Sequence, residues 1–128
     1  MDFRSRILWI DGIGGIVVGV AVLALHSWLT LWYQLPREFI LFMGLINLLY
    51  GCYSLPLAFR KKRPLHLIII LVIGNLTWAV LCLWWAYSFR ETASILGLIH
   101  LIGEGIYVGG LGLLEWRWRN YLQSVEVF

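Results

Sequence analysis

Four apolar stretches divide the chain: Ile7–Leu25, Phe39–Phe59, Leu65–Tyr87 and Ala93–Leu114. Each comes close to the ~20 helical residues that cross a hydrocarbon layer about 30 Å thick, and none is long enough to cross twice. Polar residues gather between them, in His26–Glu38, Arg60–Pro64 and Ser88–Thr92. Connections this short predict adjacent helices that run antiparallel. The pattern therefore predicts an all-α fold, a polytopic membrane four-helix bundle, with residues 1–128 forming a single integral membrane domain and both termini on one side.

Composition leads to the same class. Of the 128 residues, 61% are hydrophobic and only 13% are charged. A soluble domain of this size buries only about two-thirds of the surface its unfolded chain exposes, too little to hide so much apolar area, so lipid must be the solvent. No signal-peptide cleavage pattern follows the first stretch, which is expected to remain as a span. In antiparallel spans, Cys52 and Cys82 fall toward opposite faces of the bilayer. That places them beyond the ~7 Å limit for a disulfide, and they are expected as apolar thiols.

Charge sets the expected orientation. Arg4, Arg6, the run Arg60-Lys61-Lys62-Arg63, Arg117 and Arg119 lie on one side, and only Arg37 and Arg90 on the other. Eight basic residues against two predict a cytoplasmic N-terminus and C-terminus by the positive-inside rule. Trp9, Trp116 and Trp118 would mark the inner interface. Trp28, Trp32, Tyr33, Trp84, Trp85 and Tyr87 would mark the outer one. Helical spans exclude an outer-membrane barrel, so a bacterial inner membrane is the expected location. The bias opposes antiparallel dimers, and a parallel homo-oligomer is the assembly it allows. Membrane lipids are expected partners, with the Trp116–Leu122 segment resting at the headgroups. A four-residue basic run gives no support to nucleic-acid binding.

Small residues predict helix contacts where lipid removes the hydrophobic drive. Gly12, Gly15 and Gly19 form a stripe on the first span, and Gly105, Gly109 and Gly112 another on the fourth. A close contact between those two spans is expected, or a contact of one stripe with another protein chain. Pro56 predicts a kink or early end in the second span, where it disfavours the bond to Cys52.

Ionisable groups inside a span are costly and mark a functional site by default. At about 1.5 Å per residue, Glu104 falls near the midplane of the fourth span, with His100 one turn away on the same face. Asn47 and Asn75 fall in the same layer from the second and third spans. His100 and Glu104 are spaced i, i+4, within reach of a hydrogen bond or ion pair. Trp78 and Tyr107 are expected as aromatic walls. Together the six residues predict a midplane site that binds, and translocates, a proton or a small amphiphilic ligand that is cationic or hydrogen-bonding. Asp11 and Glu115, nearer the inner surface, are the candidate cytoplasmic mouth, although Asp11 also suits an ion pair with Arg6, Arg117 or Arg119.

Other readings stand beside this one. Membrane asparagines commonly hold helices together, which suits a structural or accessory subunit bound to a protein partner. A small lipid-modifying enzyme using Glu104 and His100 as acid and base is a third. No soluble-enzyme motif is present. No cofactor is predicted, and no metal, because His100 and Glu104 supply two ligands where a site needs three or four.

Overall fold

The computed structural model describes residues 3–123. Among the described residues six helices follow one another: α1 Phe3–Ala24, α2 His26–Tyr33, α3 Arg37–Phe59, α4 Leu65–Ser88, α5 Ile95–Arg117 and α6 Arg119–Leu122. Four of them, α1, α3, α4 and α5, are long and apolar enough to cross a membrane. A segment in lipid must satisfy its own backbone hydrogen bonds, which is why apolar stretches of this length become helices. At 22 to 24 residues each measures about 33–36 Å. Val17, Ile73, Val80, Ile99 and Ile106 lie along these helices and are each more than half exposed. That is the outward surface of a protein whose solvent is hydrocarbon.

One predicted connection is itself helical. The segment His26–Glu38, expected as a link between spans, folds into α2 and the first turn of α3. α2 stops at Gln34, whose backbone is left-handed (φ 53°) and whose N–H bonds Thr30 O. Pro36 and Pro64 each immediately precede a helix, where a missing N–H costs nothing. α3 does not end at Pro56 but continues to Phe59.

The helices pair differently from the glycine prediction. α1 packs along α3 and α4 along α5, whereas α1 and α5 touch lightly. Each glycine stripe is used within its own pair. A Cβ on Gly19 would lie 2.6 Å from the Leu48 nitrogen and one on Gly15 2.8 Å from the Asn47 carbonyl oxygen, so α1 and α3 meet backbone to backbone. On the other side, Gly105 faces Cys82 and Ala79, while Gly112 faces Leu76 and Asn75. The expected first-to-fourth contact fails because both stripes already have a closer partner in the neighbouring helix.

The two pairs meet across a wider seam filled by rings. Trp78 lies between Trp85, Phe42 and Tyr50, with centroids 5.3, 6.0 and 6.5 Å away. The Tyr53 hydroxyl donates to Leu67 O at 2.7 Å. Trp85, expected at an interface belt, instead packs edge-on against Phe39 at 4.9 Å.

At the end that carries α6, Arg63 departs from the rest of its basic run. Arg60, Lys61 and Lys62 are exposed, but Arg63 is 2% exposed. Its guanidinium donates to Leu57 O (2.8 Å), Ala58 O (3.0 Å) and Leu122 O (2.7 Å). It thus adds a donor to two final carbonyls of α3, of which Leu57 O also accepts from the Arg60 N–H at 3.2 Å, and joins them to α6. Burial draws its ionisation down from the ordinary arginine value.

Candidate functional site

Glu104 is the centre of a converging set. α5 presents it on the face toward α3 and α4, because Gly105 beside it lets α5 approach Cys82 closely. Its side chain is 7% exposed and that of His100 19%. His100 Nε2 lies 3.1 Å from Oε1. Oε2 accepts from Trp78 Nε1 at 2.6 Å and Asn47 Nδ2 at 3.1 Å, with the Cys82 thiol at 3.7 Å. Asn47 is itself fixed, since its amide also donates to Met43 O at 2.9 Å. Donors from three helices hold one carboxyl group in one orientation.

The set extends to a residue that the sequence reading assigned elsewhere. Tyr33 at the end of α2 was expected at the outer interface. Its hydroxyl instead lies 3.1 Å from His100 Nδ1. Burial pushes its phenol above the ordinary value, and the charge of Glu104 adds to the shift, so Tyr33 keeps its proton. With that hydroxyl donating to Nδ1, a neutral His100 carries its hydrogen on Nε2 and donates to Glu104. α2 is held in place by Ser94, whose N–H bonds Tyr33 O at 2.9 Å and whose hydroxyl bonds Trp32 O. Gly97 leaves room for this contact, since a Cβ there would meet the Tyr33 carbonyl oxygen at 2.7 Å. Only a contact between elements 67 residues apart makes Tyr33 part of the site.

Asn75 does not join this group. Its amide donates at 2.7 Å to both Asp11 Oδ2 and Glu115 Oε1. The expected shared layer fails because counting residues assumes that the helix ends are level. The packing register instead sets Gly105 against Cys82 and Gly112 against Asn75, so Asn75 faces the far half of α5. Asp11 and Glu115 are likewise not a surface mouth: they are 5% and 0% exposed. The partner of Asp11 is an amide of α4, not one of the three arginines.

Both groups border one cavity of about 330 Å³, lined by residues of all four spans. Asp11 and Leu111 lie toward one end, and His100 and Ile99 toward the other. Ile99, Gly103 and Tyr107 line it and are also exposed, so it opens sideways where α1 and α5 stand apart. Tyr107 crosses this opening, with its hydroxyl donating to Ile10 O at 3.3 Å. Space for that hydroxyl comes from Gly14, whose Cβ would lie 2.7 Å from it.

Among the described residues no three His, Cys, Asp or Glu side chains gather into a metal-holding group. The arrangement suits accepting a positively charged or N–H-bearing group at Glu104, with an apolar remainder in a lipid-facing opening. No protein-family model, curated protein or solved structure matches the chain.

Proposed function

We propose that the chain binds a cationic, hydrogen-bonding amphiphile drawn from the bilayer, and pairs its head with Glu104. The observation that supports this is the carboxyl group held by His100, Trp78 and Asn47 on the wall of a laterally open cavity. An ammonium supplies the charge and N–H donors that such a group accepts. Its alkyl chain remains in the opening between α1 and α5, beside Tyr107. Trp78 contributes both a wall and a donor. Translocation of the ligand, or of a proton along Tyr33, His100 and Glu104, extends the same reading. The eight-to-two distribution of basic residues supports a cytoplasmic face for the end carrying α6, in a bacterial inner membrane.

An accessory role built on a glycine stripe facing a partner has less support, because the stripes of α1 and α5 are used inside the bundle. Acid–base chemistry on a lipid has the two groups but no third observation in its favour.

Native mass spectrometry of the protein released from its own membrane tests the proposal. A stoichiometric amine on the native chain, absent from Glu104→Gln at unchanged helical content, is the expected result. For chains released empty, added dodecylammonium should bind at least about tenfold more weakly to the variant, a difference of about 1.4 kcal/mol. Equal binding by both chains rejects Glu104 as the pairing group.

A further inference from the structure

Asp11 and Glu115 form a second cluster whose chemistry differs from that around Glu104. Both carboxyl groups are buried, and Asn75 donates to each from a single amide nitrogen. That one nitrogen, 2.7 Å from an oxygen of each, brings the two carboxyl groups together. Beyond these contacts, Glu115 Oε2 has no partner although it is fully buried.

Among the described residues, neither carboxyl group makes a salt bridge; the one such contact joins His100 to Glu104. The titratable groups that line the cavity near Asp11 include two phenols, Tyr107 from α5 and Tyr50 from α3. α4 contributes only the Asn75 amide. On α1, Arg6 is exposed, and in α6 Arg119 is engaged with the Trp116 carbonyl and ring. Two ionised carboxylates out of water, sharing one neutral donor, repel each other without compensation. One proton between them replaces that repulsion with a hydrogen bond.

We propose that Asp11 and Glu115, held by Asn75, form a proton-binding site that carries one shared proton and is reached from the cavity through Asp11. Asp11 lines the cavity and Glu115 does not, so Asp11 is the point of exchange and Glu115 the closed inner member. The site is separate from Glu104, and its occupation does not depend on what binds there. Glu104 and Glu115 stand 11 residues apart on α5, about 16 Å along its axis, at opposite ends of the same interior.

Infrared spectroscopy of the full chain in lipid vesicles tests the assignment. At neutral pH the native protein should show the carbonyl stretch of a protonated carboxyl group, shifted by deuterium oxide. Glu104→Gln should retain this band, and D11N/E115Q should lose it. Absence of the band from the native protein overturns the proposal, as does its loss in Glu104→Gln or its persistence in D11N/E115Q. If the double variant fails to fold, the native chain and Glu104→Gln still decide, because each carries an outcome that rejects the shared proton.

Discussion

Tyr33 shows how a single side chain changes meaning once its partner is known. In sequence it is one aromatic residue among several near a polar connection; in the fold its hydroxyl orients His100. Tyr33→Phe should lower stability by about 1 kcal/mol, the ordinary worth of such a bond, read from thermal unfolding in detergent. The pH dependence has a definite sign. A phenol whose ionisation is raised by folding stabilises fully below the unfolded value, about 10 for tyrosine. That contribution is lost as pH rises through the folded value. The native protein should therefore lose stability above pH ~10 more steeply than Tyr33→Phe; identical alkaline profiles reject the burial of this phenol. His100 and Glu104 were legible as a pair because helical spacing alone brings i and i+4 together. Tyr33 was not, because its contact depends on how α2 folds back.

For the helices, length and hydropathy identified the spans but not their partners. The structural helices begin or end within about four residues of the apolar stretches, the uncertainty expected of boundaries read from sequence. α2 was missed because its tryptophans and polar residues suit an interfacial link as well as a short helix. The glycine stripes were visible as contact surfaces, yet a stripe does not state which neighbour it meets. The close approach at Gly19 shows that α3 is the answer for α1. Gly19→Ala places a methyl group against the Leu48 and Gly44 backbones, and overpacking of this kind costs about 1–3 kcal/mol. Gly110→Ala, with open space at its Cβ, should remain within about 0.5 kcal/mol of the native protein. Equal losses in the two variants would mean that α1 and α3 are not in backbone contact.

The whole molecule is two glycine-packed pairs joined by aromatic side chains and polar contacts. This division follows from side-chain size: glycines permit backbone contact inside a pair, while Trp78, Trp85 and Tyr50 hold the pairs apart. Pulling the chain from its C-terminal end out of a bilayer should then give two principal force events, α5 with α4 followed by α3 with α1. Four equal events, one per span, would contradict the division. The polar residues that line the cavity were individually visible as misplaced in apolar spans. Their separation into a Glu104 group and an Asp11–Asn75–Glu115 group was not, because it depends on the register between α4 and α5.

Arg63 links this architecture to the order in which the chain is made. Its guanidinium closes the end of α3 through Leu57 and Ala58 but also holds Leu122, 59 positions later. Synthesis runs from the N-terminus, so α1 and α3 can be inserted and paired long before Leu122 leaves the ribosome. Until then Arg63 lacks one of its three carbonyl partners. Its guanidinium is fully enclosed by carbonyl partners only when the last helix arrives. One side chain thus fastens the end of α3 to the last helix and completes the packing at that end of the bundle.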